Sequence, residues 1–227
     1  FPPGHLAKRL LTQGATPITA WGADACVALS LYPAPTVRTA WLPAHVPLRV
    51  MPPLLRPSVR ALSASPTRGA YLQTYLLNDS YARQLMRWHH AHPDVEIRCF
   101  WGRNGVDAPE QVDATLTIYP LSATRFVQSM AHARGLATTA GFESVAEALY
   151  LGTPVQAVPT PGHYEQRCNA YDTVRAGAGV RSTRFSLDPL RRFIPHYAVD
   201  AAAYRTRVQQ MPGRLVRLLE RVAGTHA

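Results

Sequence analysis

The stretch Thr138-Thr139-Ala140-Gly141-Phe142-Glu143-Ser144-Val145-Ala146-Glu147-Ala148-Leu149 holds more usable chemistry than any other in this 227-residue chain. An apolar run ends at two threonines, Gly141 permits a tight or positive-φ turn, and a helix-forming run begins at once. The first amides of such a helix lack intrahelical partners and carry the positive end of its dipole, so they suit a phosphate or diphosphate. Ser144 adds a hydroxyl donor. With Val145, Ala148 and Leu149 turned to a sheet, Glu147 falls on another face one turn in, where a carboxylate can hold a ribose diol. Glu143 either joins that site or only complements the helix dipole. The glycine spacing is not GxGxxG, which disfavours a nicotinamide cofactor.

A second junction follows. After an apolar run to Pro159 comes Thr160-Pro161-Gly162-His163-Tyr164-Glu165-Gln166, and Asn169 lies one turn further on. A carboxylate beside a carboxamide can accept from and donate to neighbouring sugar hydroxyls. Read alone, Glu165-Gln166 is equally an ordinary first turn and His163 a loop histidine. The three cysteines, Cys26, Cys99 and Cys168, are far apart and odd in number, which argues against a disulfide framework and a cysteine-built zinc site. His89, His90 and His92 sit at the end of an expected helix, where imidazoles suit the negative dipole end. No metal site is expected.

The elements that must position these groups alternate. Strands are expected over 70–77, 95–101, 114–119, 135–140, 154–159 and 180–182, and helices over 81–88, 126–131, 144–151 and 165–176. A turn is expected at Gly102-Arg103-Asn104-Gly105. Strands alternating with helices of about ten residues imply βαβ units: an α/β class with a Rossmann-like parallel sheet and flanking helices. Before it, residues 25–32 read as a buried strand. The eight prolines from Pro33 to Pro66 exclude a long helix or central strand, so that stretch reads as an extended connector. A long helix is expected from about 201 to 222, with a kink at Pro212-Gly213.

Taken together, Gly141 to Leu149, Gly152-Thr153-Pro154-Val155, Pro159, Glu165-Gln166 and Asn169-Ala170 resemble the nucleotide-sugar-binding half of GT-B glycosyltransferases. The branch is the one that includes lipid II N-acetylglucosaminyltransferase-like and UDP-glucuronosyltransferase-like proteins. The resemblance is dense over about residues 135–179 and topological from about 69 to 182. It implies the C-terminal half of a GT-B fold plus a remnant of the N-terminal domain: residues 1–57 as acceptor-domain remnant and linker, 58–195 as the donor domain, and 196–227 as a helix packing back across the cleft. It implies that Glu147 binds the ribose of a UDP-sugar, and that amides at Gly141, Phe142, Glu143, Ser144 and Val145 hold its diphosphate. Glu165, Gln166 and His163 would meet the donor sugar. Asn78 and Asp79 would border the diphosphate, and Tyr119, Pro120 and Leu121 the base. No metal or other cofactor is implied. One departure stands out: plant-type members carry a phosphate-binding histidine two residues before the glycine, where this chain has Thr139.

The implied activity is transfer of a hexosyl group to an acceptor, lipid-linked or a small molecule. The base for that step is expected from the other domain, so none is assigned here. A non-catalytic nucleotide-sugar-binding protein and a nucleotide-sugar epimerase of the same fold are the alternatives. Composition frames these readings. Hydrophobic residues at 47% and charged residues at 17% fit a globular protein, no apolar run reaches a membrane span, and a cytoplasmic setting fits the cysteines. The net charge of +10 comes from 23 arginines and one lysine, Lys8, against 14 acids, which reads as compositional bias rather than a nucleic-acid surface. From Arg181 onward, nine arginines stand against Asp188, Asp200 and Glu220, a basic region that reads first as a solvated helical face and otherwise as one suited to peripheral contact with the inner face of a membrane.

Overall fold

The structure, a computed structural model, describes residues 22–33, 46, 48–62, 68–103 and 107–224. Part of the proline-rich stretch and Asn104-Gly105 of the expected turn lie outside them. The chain divides into two compact units, one of residues up to Leu54 together with those from Ala203 onward, the other Leu55–Ala202.

In the first unit, β1 (Cys26–Leu29) pairs in parallel with β2 (Leu48–Met51), with Cys26 opposite Leu48. The proline-rich connector therefore contains a strand that its composition did not announce. Four residues suffice for β2, and they fall after Pro47, where the ladder needs no amide from a proline. This unit also holds most of the long C-terminal helix, which runs Ala201–Gly224 without interruption, with Pro212 inside it. Met51 packs with Met211 and Leu218, and Ala25, Leu215 and Val222 flank them.

The second unit is built on seven strands: β3 (Leu72–Leu76), β4 (Ile97–Trp101), β5 (Glu110–Gln111), β6 (Leu116–Tyr119), β7 (Gly135–Thr138), β8 (Val155–Ala157) and β9 (Gly179–Arg181). Their order is β5-β6-β4-β3-β7-β8-β9, and every pairing is parallel except β5 with β6. The five middle strands are almost wholly buried, as expected of a sheet covered on both faces. β5, two exposed polar residues, had no pattern from which to be read.

The helices follow local signals. α1 (Pro57–Ala61) starts on a proline and buries Val59. α2 (Asp79–His90) is capped by Asn78, whose Oδ1 accepts from the Tyr81 amide at 3.0 Å, and it buries Tyr81, Ala82, Leu85, Trp88 and His89 at helical spacing. α3 (Ala123–His132) is capped by Ser122 and buries Phe126, Val127, Met130 and Ala131. α4 (Phe142–Leu151) ends at Gly152, whose φ of 71° lets the chain leave in the left-handed region. α5 (Tyr164–Arg175) follows β8, and a short α6 (Asp188–Phe193) completes the unit. Six residues are too few for a periodic signal, so α6 was not foreseen. Among the described residues, no helix is long and apolar enough to cross a membrane.

Strand order locates the crevice. From β3 the chain moves outward to β4 and β6, then returns to the other side of β3 as β7. β3 and β7 are thus neighbours whose following helices leave in opposite directions. Such a switch point opens a cleft beyond the carboxyl ends of the strands.

Candidate functional site

A cavity of about 710 Å³ lies at that switch point. Tyr75 and Leu77 come from the end of β3. Leu121, Ser122, Ala123 and Phe126 come from the β6–α3 junction, and Thr139, Gly141, Phe142, Glu143, Ser144 and Glu147 from the β7–α4 junction. The first turn of α5 adds Glu165 and Gln166, and Arg56 enters from the residue preceding α1.

The β7–α4 turn is made differently from the sequence expectation. Gly141 is extended, with φ −65° and ψ 132°, and the left-handed residue is its neighbour Ala140, with φ 61°. A left-handed alanine costs about 1–2 kcal/mol. It is held by Asn169 of α5, whose Nδ2 donates to the Ala140 carbonyl at 3.0 Å. Val145 N–H bonds to Gly141 O at 3.3 Å and is the first amide spent within the helix. The Gly141, Phe142, Glu143 and Ser144 amides come before it and are the free donors. Val145 is fully buried and brings no free donor. The Ser144 hydroxyl is also committed: it donates to Gly141 O at 2.9 Å and lies 3.2 Å from Thr138 Oγ1. It pins the turn rather than offering its proton to a ligand.

Glu147 is buried, at 3% exposure, yet lines the cavity. Arg56 grips it as a fork, Nε to Oε1 at 2.7 Å and Nη2 to Oε2 at 2.9 Å. Burial pushes the Glu147 carboxyl above its ordinary value; Arg56 opposes that shift, and the nearby Glu143 adds to it. Each carboxylate oxygen keeps a lone pair beyond the one given to Arg56, enough to accept from a sugar hydroxyl. Arg56 is the one cation among the described lining residues, facing Glu143, Glu147 and Glu165. Its position follows from α1: Val59 is fully buried, the Val59 and Arg60 amides bond to Arg56 O, and α1 packs on α3 and α4.

The other expected residues are distributed unevenly. Glu165 and Gln166 line the cavity, with the Gln166 carbonyl oxygen accepting from the Thr160 amide at 2.8 Å, so its NH₂ group is the part available. His163 is the exposed residue before α5 and is not among the lining residues. Asn78 is occupied as the α2 cap, and Asp79 borders a separate cavity with Trp101. Leu121 lines the main cavity, Pro120 a neighbouring one, and Tyr119 stacks on Phe100 with ring centroids 5.2 Å apart. Arg56, Tyr75 and Leu77 were not singled out from the sequence. Arg56 lies 91 residues from its partner, and nothing local marks it. Among the described residues, no cluster of three or more His, Cys, Asp or Glu could hold a metal ion.

The sequence pattern of one family, Glycosyl transferase family 1, matches residues 21–197. No curated protein matches the chain in sequence. Among solved structures, it is similar to the glycotransferase of kitacinnamycin, with a TM-score of 0.53 and 22% identity over 77% of this chain and 49% of that one. It is similar to the spinosyn forosaminyltransferase SpnP, with a TM-score of 0.53 and 17% identity over 98% of this chain and 64% of that one. The spinosyn rhamnosyltransferase SpnG complexed with thymidine diphosphate gives a TM-score of 0.53 and 16% identity over 75% and 56% of the two chains. At these identities the likeness is one of fold, and this chain spans only about half to under two-thirds of the length of these structures.

Proposed function

The chain belongs to glycosyl transferase family 1, and on that premise we propose that residues 55–202 are the donor-binding part of a glycosyltransferase that moves a hexosyl group from a UDP-sugar to an acceptor hydroxyl. The observation that carries this reading is the meeting, in one cavity, of the α4 N-terminus with Glu147 one turn further in. The free amides of residues 141–144 suit a diphosphate, and the carboxylate suits the ribose. The volume of about 710 Å³ is within the range of small-molecule sites.

In the proposed reaction the bond from sugar C1 to the diphosphate oxygen breaks, and the electron pair leaves with UDP. The acceptor oxygen forms the new bond to C1 and gives up its proton to a base outside this unit. Negative charge grows on the diphosphate beside amide dipoles already in place, so they stabilise the transition state without reorganising. Arg56 adds a positive charge to the same cavity, and we propose that donor binding needs no metal ion. Glu165 and the Gln166 NH₂ group would face the sugar.

Calorimetric titration of the chain with UDP, TDP and GDP in the presence of a chelator tests the reading. TDP is included because the similar SpnG was solved with thymidine diphosphate. Binding of UDP in preference to GDP, weakened by about 1–3 kcal/mol in Glu147→Ala, is the expected outcome. A folded chain that binds none of the three defeats the proposal.

A further inference from the structure

We propose that Asn169 is a positioning residue of the donor site, acting on the diphosphate amides through the left-handed turn at Ala140; this rests on the donor-site reading above. Asn169 belongs to α5, is 8% exposed, and donates from Nδ2 to Ala140 O at 3.0 Å. Ala140 is fully buried and is the one residue other than glycine with positive φ among the described residues.

An alanine at φ 61° has more favourable conformations close by in the right-handed and extended regions. Returning to either rotates the peptide plane between residues 140 and 141 and re-aims the amides of Phe142 and Glu143. The Asn169 side chain opposes that rotation by holding the carbonyl of the same peptide plane. Beyond the turn, Ser144 ties its hydroxyl to Gly141 O. The free amides thus emerge from a segment clamped on both sides. The fit around Ala140 is close, since it packs with Ala157 of β8 and Ala170 of α5 in a cluster of small side chains. This packing brings α5 near enough for its asparagine to reach the turn. The same helix opens with Glu165 and Gln166, so one hydrogen bond links the sugar-facing and diphosphate-facing ends of the cavity.

Glu147 lies beyond the clamped turn, within α4, and does not depend on it. Loss of the Asn169 bond should therefore weaken recognition of the diphosphate and spare recognition of the nucleoside. The experiment compares affinity for UDP, by calorimetry, with affinity for uridine, by ligand-observed NMR, using the full 227-residue chain. In Asn169→Ala, UDP affinity is expected to fall about tenfold and uridine affinity to stay within about twofold, the scale of one hydrogen bond. Asn169→Asp keeps the side-chain volume but turns a donor into an acceptor facing the carbonyl, and is expected to show the same selective loss. Adding Ala140→Gly to Asn169→Ala is expected to restore UDP affinity to within about threefold, because glycine holds positive φ without the tether.

Equal losses of UDP and uridine affinity, or no loss in a folded variant, overturn the proposal while leaving the donor site intact. Failure of Ala140→Gly to restore binding overturns the route through Ala140. A folded wild-type chain that binds no nucleoside diphosphate overturns the donor-site reading and this proposal together.

Discussion

Arg56 and Glu147, 91 residues apart in the chain, meet as a two-pronged ion pair on the wall of the cavity, at 2.7 and 2.9 Å. The pair is asymmetric: the Glu147 side chain is 3% exposed and that of Arg56 39%. Removing either partner therefore has different consequences. A stranded arginine can turn to solvent, while a stranded Glu147 stays buried.

Arg56→Ala is expected to destabilise the fold by about 2–4 kcal/mol, toward the lower end because Arg56 is partly solvated. Adding Glu147→Gln removes the stranded charge and should recover at least half of that loss. Urea denaturation of the two single variants and the double variant measures the coupling. Additive losses would show that the ion pair contributes little.

The raised carboxyl of Glu147 sets a pH dependence. Starting at its ordinary value of about 4.5 and extending upward, the folded state holds a proton that the unfolded chain has released. In that window the Glu147 contribution to stability declines as pH rises. Ligand binding runs the other way, because only the carboxylate accepts from two hydroxyls. UDP affinity is expected to fall as pH is lowered through that window, and to fall less in Glu147→Gln. Calorimetry between pH 4.5 and 8 tests this, and parallel profiles for the two proteins would refute it.

Gly179 opens β9 beside β8, and a Cβ placed there would stand 1.8 Å from Val155 O. Gly179→Ala must therefore push the two strands apart, at a cost of about 1–3 kcal/mol. Gly162→Ala is the comparison: it meets no atom within 4 Å and pays only for its φ of 83°. A larger loss of melting temperature in Gly179→Ala is the expected result.

Asp113 braces the turn into β6. Its Oδ1 accepts from the Thr115 and Leu116 amides at 2.9 and 2.8 Å, and Oδ2 lies 2.9 Å from His89 Nε2. The Thr115 amide is the largest cause of a carboxyl lowered to about 2, with Leu116 and His89 adding to it. The stability it gives is present above the ordinary value of 3.8 and is lost as pH falls toward 2. Asp113→Asn should flatten that part of the acid-denaturation curve. An unchanged acid limb would assign it to other groups.

Much of the α/β unit was legible because its signals are local. The apolar runs that became β3, β4, β6, β7 and β8, the Asn78 cap and the helical spacing of Tyr81, Leu85 and Trp88 all lie within a few residues of what they specify. The β7–α4 junction was legible as a strand-to-helix turn for the same reason, although α4 buries every residue from Val145 to Leu151, Glu147 included, rather than one face. At Ala140 and Gly141 local reading failed. Glycine is the residue expected at positive φ, yet Ala140 takes it, because Asn169 from another helix holds its carbonyl.

By itself, then, the sequence determined the longer strands and helices of the α/β unit, their alternation, and the helix N-terminus with a glutamate one turn in, but not the short β2, β5, α1 and α6, since periodicity, capping and turn chemistry act over short separations and need enough residues to show. Only the tertiary structure decided that β7 lies against β3, which brings Tyr75 and Leu77 to the same cavity as Glu147. It alone paired Arg56 with Glu147 and tied Asn169 to Ala140. Those contacts join residues 91 and 29 positions apart, and they form only when the burial of whole strands and helices has set which side chains can meet.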